Sequence, residues 1–196
     1  METKRKGFQT KDLVYVALCA VLMAVCSWIN IPSAIPFTLQ TFAVFCTLGL
    51  IGGKRGTASI LVYLLLGALG LPVFVGFSGG VGILFGITGG YLLGFILMGL
   101  VYWLGERLGK GKRIVEIGSM VLGLVLCYAF GTAWFMVVYT RNSGPVSLGV
   151  VLGWCVLPYL IPDAVKILLA SLLTRRLEPV LSRMSRPASG KPRQNG

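Results

Sequence analysis

Asp163 and Lys166 stand three residues apart within a run, 154–173, that carries no other charge. On a helix that spacing puts both side chains on one face. A carboxylate only accepts hydrogen bonds and an ammonium only donates them, so together they can satisfy either kind of polar group on a ligand. An ionisable side chain at the centre of a bilayer costs roughly 2.5–3.5 kcal/mol on insertion scales, and it persists where it pairs, faces a protein interior or meets a ligand. The pair therefore reads as the floor of a substrate site. The alternative is an ion pair that only holds its helix against its neighbours. Catalysis finds little support: the chain has no histidine, and no second acid, nucleophile or cofactor motif accompanies the pair. No metal site is indicated either.

The elements that must position this pair are membrane spans. Hydrophobic residues make up 56% of the 196-residue chain and charged residues 12%, with a mean hydropathy of +0.84, which is outside the range of soluble domains. That length holds about six helices of roughly 20 residues and no separate soluble catalytic domain. The net charge of +12 is distributed in four clusters: residues 4–11, Lys54 with Arg55, residues 107–113 and residues 175–193. These hold 16 of the 18 cations. Apolar stretches long enough for two passes separate them, so the positive-inside rule places all four in the cytoplasm, with both termini. The charge is thus explained without a nucleic-acid partner.

The expected fold is all-α, a polytopic cell-membrane protein with six transmembrane helices in one compact bundle. The helices are read at 13–29, 38–51, 57–71, 89–104, 114–138 and 150–173. Residues 1–178 form this domain, and 179–196, rich in Ser, Pro, Arg and Gly, form a basic cytoplasmic tail without the apolar content to fold. The basic start followed by an apolar run imitates a signal peptide, but the polytopic pattern continues past it. Cys19, Cys26, Cys46, Cys127 and Cys155 lie within predicted spans without metal-ligand spacing and read as packing residues.

Between the third and fourth spans lies a glycine-rich stretch, 72–88, in which Phe74, Phe77 and Phe85 argue against disorder. Glycine permits close backbone approach to a ligand, which brings Gly79 into consideration. The stretch reads as a lid at the outer mouth, and Gly86, Gly90 and Gly94 at four-residue spacing read as a helix-packing seam. A Gly-Lys at 53–54 is not a nucleotide-binding loop, because Leu48 stands where its first glycine belongs and Arg55 where Ser or Thr must hold magnesium. The chain itself is not expected to hydrolyse ATP.

Four strings carry a resemblance: Pro36-Phe37-Thr38-Leu39-Gln40-Thr41-Phe42, Gly70-Leu71-Pro72-Val73-Phe74, the run from Leu84 through Thr88-Gly89-Gly90-Tyr91 to Phe95, and Asp163-Ala164-Val165-Lys166. In order and spacing they resemble the BioY family, the biotin-specific S components of energy-coupling factor (ECF) transporters. The resemblance covers about residues 12–175. Ile87 departs from the family's usual Pro and Pro162 from its usual Gly.

That resemblance implies a membrane-embedded vitamin receptor, not an enzyme, which captures biotin at the extracellular side. Uptake would need a transmembrane coupling protein and two cytoplasmic ATPase subunits, so ATP is used by partners and the chain needs no cofactor. Biotin presents a ureido head, a sulfur-containing ring and a carboxylate tail. Asp163 and Lys166 would satisfy one end, with Gln40, Ser78 and Thr88 as further polar contacts; Phe74, Phe85, Tyr91, Tyr128 and Trp134 are candidates to enclose the ring. Ala20 and Ala24 on the first helix would meet the coupling protein, with internal packing as the alternative. An S component for another vitamin, or an ion or proton channel using the buried pair, remains the competing reading.

Overall fold

The computed structural model describes residues 9–31, 37–109 and 112–184. The N-terminal cluster up to residue 8, residues 32–36 of the expected outer turn, and the tail from 185 lie outside the described residues. Helix α1, Thr10–Trp28, begins with a capping box: the Gln9 backbone N–H donates to Asp12 Oδ2 at 3.0 Å. The same carboxylate pairs with Arg55 at 2.8 Å, which ties the start of α1 to the second cationic cluster. Strand β1, Asn30–Ile31, then pairs antiparallel with β2, Phe37–Thr38, in the register Asn30 opposite Thr38.

Helix α2, Gln40–Ala68, covers both the second and the third expected spans. A straight helix of that length would place Gln40 and Tyr63 about 35 Å apart at 1.5 Å per residue. Instead the Gln40 amide donates to the Tyr63 hydroxyl at 2.7 Å. The chain therefore doubles back, and the reversal is Gly52, at φ +80° and ψ 166°. Gly53 restarts the helix with its backbone N–H donating to the Glu106 carboxylate at 2.8 Å. The two arms, 40–51 and 53–68, are the expected helices joined by a tighter turn than 52–56.

The glycine-rich stretch holds a 3-10 turn, Val75–Phe77, and the short helix α3, Val81–Leu84. Helix α4, Gly89–Gly109, packs along α5, Arg113–Ser143. Their seam needs small residues: a Cβ on Gly94 would lie 2.7 Å from Cys127 Sγ, and one on Gly90 would strike Trp134. Gly86 is not part of this seam but lies in the loop ahead of α4.

The last expected span, 150–173, is divided. Helix α6, Leu148–Cys155, ends at Val156, and α7, Leu157–Met184, starts anew. Pro158 lacks an amide hydrogen and is accommodated in the first turn of a new helix, where amides have no intrahelical acceptor. Pro162, one of the departures from the family pattern, sits inside α7. The helix passes the expected boundary at 178 and runs to Met184.

Counting the arms of α2 separately and α6 with α7 as one broken span gives the six expected passes. Helices α1, α4, α5 and the 157–179 part of α7 are each long and apolar enough to cross a bilayer. Phe45, Leu48, Ile60, Tyr63, Met23 and Met98 fill the centre, while Leu18 and Val21 of α1, Val125 of α5 and Leu168 of α7 point outward. Apolar residues on both faces are the mark of a multi-pass membrane protein, whose outer surface meets lipid.

Candidate functional site

Helix α7 crosses the bundle with Tyr159, Asp163 and Lys166 at i, i+4 and i+7, one continuous stripe turned inward. Asp163 is 2% exposed and Lys166 6%. The Lys166 ammonium meets Asp163 Oδ1 at 2.7 Å. Its other two hydrogens go to the Thr38 carbonyl at 2.7 Å and to Thr41 Oγ1 at 2.9 Å. Beneath it lies the ring of Phe37, with its centroid 4.3 Å from Nζ, in cation–π contact. Phe37 in turn stacks on Tyr159. The Thr41 hydroxyl donates to Asp163 Oδ1 at 3.0 Å, and the Tyr128 hydroxyl donates a short bond to Oδ2. Strand β2, the first turn of α2 and the middle of α5 thus converge on two side chains of α7.

Above this floor is a cavity of about 320 Å³. That is within the range of small-molecule pockets, which are mostly apolar with a few placed polar groups. Its walls include Phe74, Tyr91, Phe95 and Leu124, and its polar groups are Gln40, Thr41, Ser78 and Thr88 beside the floor. Of the expected contacts, the structure brings Asp163, Lys166, Gln40, Phe74, Ser78, Thr88, Tyr91 and Tyr128 to this one cavity. Several are already fixed by protein partners. Gln40 is held through Tyr63, Ser78 Oγ donates to the Val75 carbonyl at 2.6 Å, and the Tyr91 hydroxyl shares a hydrogen bond with Thr132. Fixed rotamers make a preformed pocket.

Three expected contacts are placed elsewhere. Phe85 is 64% exposed and packs on Trp134 at the outside of the α4–α5 pair. Trp134 donates its indole N–H to the Gly86 carbonyl at 3.0 Å, so it supports the loop that enters α4 and does not line the cavity. Gly79 packs against the backbone of Gly70 and Leu71, closing the base of the loop. The first-helix pair is also reassigned. Ala20 and Ala24 are 2% and 5% exposed within the central core, so they serve α1–α2 packing, and the outward stripe of α1 is Leu13, Val14, Leu18 and Val21. A helix has one inward face, and the smaller side chains let α2 approach it.

Sequence reasoning did not single out Thr38, Thr41 and Tyr159. A signal for Tyr159 was present, since 159, 163 and 166 share a helical face. The two threonines carry no such mark. Only the fold brings the entry of α2, some 120 residues upstream of Asp163, against α7.

The sequence model of the BioY family matches residues 1–183. This chain belongs to the BioY family. It is similar to "Biotin transporter BioY" of Thermotoga maritima, 38% identical over 86% of this chain and 96% of that relative. The "Biotin transporter BioY2" of Lactococcus lactis subsp. cremoris is 36% identical over 87% of this chain and 92% of the relative. Among solved structures, the S-component for biotin from an ECF-type ABC transporter superposes with a TM-score of 0.74, covering 91% of this chain and 95% of that one at 24% identity. The fold is therefore that of an S component, and the BioY relatives are named as transporters.

Proposed function

We infer that this BioY-family chain is the substrate-binding membrane subunit of an energy-coupling factor transporter, and that it captures biotin at the extracellular side for uptake driven by partners. The observation that carries the reading is the floor of the cavity. A buried Asp163–Lys166 pair opens into a mostly apolar pocket of about 320 Å³ in a chain of this family.

The hydrogen-bond valences of the floor favour one end of biotin over the other. All three Lys166 hydrogens have protein acceptors. Asp163 accepts three bonds, two at Oδ1 and one at Oδ2. An ionised carboxylate has about four lone-pair sites, so Oδ2 retains the capacity for one more donor. A donor is what the ureido N–H of biotin offers and what its carboxylate tail lacks. The ureido head therefore lies against Asp163, with its ring between Phe74, Tyr91 and Phe95, and the tail toward Ser78 and the loop.

The chain acts as a receptor and not as an enzyme. A transmembrane coupling protein and two cytoplasmic ATPases would complete the transporter, and both termini would face the cytoplasm. Titration of the purified protein with biotin, read by calorimetry and tryptophan fluorescence, tests the reading. Saturable binding of one biotin per chain is expected, with thiamin and riboflavin inert. No heat and no fluorescence change at millimolar biotin would overturn it, and conductance in liposomes without any vitamin would favour a channel.

A further inference from the structure

Thr41 occupies the point where the two charges of the floor meet. Its Oγ1 lies 2.9 Å from Lys166 Nζ and 3.0 Å from Asp163 Oδ1. The direction of both bonds is fixed by chemistry. An ammonium has no lone pair, so the hydroxyl oxygen must accept from Lys166, and an ionised carboxylate has no hydrogen, so the single hydroxyl proton must point to Asp163. The β-branched side chain limits rotation about χ1, and its place in the first turn of α2 sets it opposite α7.

We propose that Thr41 is a positioning residue of the binding site: it holds the Lys166 ammonium and the Asp163 carboxylate in the orientation that leaves Asp163 Oδ2 facing the cavity. Without its proton, Oδ1 keeps Lys166 alone and the carboxylate can turn toward Tyr128. Without its oxygen, the ammonium loses one of three acceptors. An amine held by two acceptors in place of three leaves the floor more readily, so a reagent that enters the cavity reaches it more often. Valine copies the shape of threonine and removes both bonds, while serine keeps the hydroxyl.

The effect on affinity rests on the biotin reading above; the effect on Lys166 does not. The experiment uses the purified full chain as wild type, Thr41→Val and Thr41→Ser. Affinity for biotin is measured by calorimetry, and the rate of Lys166 acetylation by acetic anhydride, without ligand, by peptide mass spectrometry. Thr41→Val is expected to bind biotin about ten- to a hundredfold more weakly, the range for losing hydrogen bonds to charged groups, and to acetylate Lys166 several-fold faster. Thr41→Ser is expected to restore both. If Thr41→Val does not give folded protein, Thr41→Ala takes its place against the same serine rescue. Unchanged acetylation of Lys166 in the variant lacking the hydroxyl overturns the proposal. So does a serine variant as impaired as that one, because the role would then be one of packing. If the wild type binds no biotin while acetylation still responds to the hydroxyl, the ligand reading fails and the role of Thr41 stands.

Discussion

At the scale of single residues, the floor of the cavity is an ion pair that could hold helices together, hold a ligand, or do both, and magnitudes separate these roles. Removing one member of a buried pair leaves the other charge uncompensated, which costs about 3–5 kcal/mol, whereas replacing both by apolar or neutral groups is often close to neutral. Lys166→Met should therefore lower the thermal midpoint in detergent sharply, and the double variant Lys166→Met with Asp163→Asn should recover most of it. Binding should not recover in parallel. If Asp163 contacts the vitamin, a hydrogen bond to a charged group worth roughly 1.5–3 kcal/mol is gone in both Asp163→Asn variants, single and double, weakening biotin binding about ten- to a hundredfold. A double variant that is stable and binds biotin with native affinity would reduce the pair to a structural clasp.

At the scale of elements, the site depends on reversals that bring distant segments together. Gly52 has a positive φ of +80°, and a Cβ there would lie 2.8 Å from Glu106 Oε1, the carboxylate that caps the second arm of α2. Gly52→Ala forces a non-glycine residue into the left-handed half of conformational space and displaces that cap. A loss of about 1–3 kcal/mol is expected, read as a lower thermal midpoint; an unchanged midpoint would mean the turn relaxes at no cost. The glycine-rich loop is held differently. Ser27 and Tyr63 both donate to the Val73 carbonyl, Trp28 donates to the Pro72 carbonyl, and Trp28 stacks on Phe77 with centroids 4.7 Å apart. Gly70 and Gly80, at φ +96° and +107°, frame the segment between them. Gln40 links it to the cavity, because its amide donates to the same Tyr63. A ligand that settles against Gln40 and Phe74 should therefore stiffen the loop, and hydrogen exchange across 76–82 should slow on adding biotin. Equal exchange with and without biotin would remove the lid from the account.

The same elements show what a sequence can and cannot reveal. The charged pair announced itself through its cost in an apolar run, and the spans through their length and the spacing of cations, because those signals are local. The divided last span had a local sign, Pro158, that was compatible with either a kink or a new helix. Thr41 had none: a threonine near a helix start is ordinary, and its role comes from a contact across the bundle. Phe85 and Trp134 look from composition like Phe74 and Tyr91. Trp134 is kept out of the cavity by which face of α5 meets α4, a matter of helical phase, and Phe85 by the turn that follows α3; aromatic content encodes neither. Ala20 and Ala24 are a related case, since small residues suit an internal seam and an external docking face equally.

At the scale of the whole molecule, charge and cavity make a joint statement about orientation. The described cations of the clusters gather where the reversal at Gly52, the end of α4 and the start of α5 lie, with Arg55 bonded to Asp12 and Arg113 to Glu178. The glycine-rich loop lies a helix-arm away, since the 53–68 arm separates it from Lys54 and Arg55. If that cationic end is cytoplasmic, as the positive-inside rule requires, the loop and the cavity mouth face outward. Single cysteines at Gly82 and at Lys112 test this, both being exposed positions on opposite ends of the bundle. The five native cysteines are buried, so replacing them for a clean background removes packing groups and calls for a check that biotin binding survives. In intact cells an impermeant maleimide should label Gly82→Cys strongly and Lys112→Cys only after permeabilisation. The reverse pattern would turn the molecule over, placing the mouth of the cavity in the cytoplasm, where a pocket of this kind could release a vitamin but could not capture it from outside.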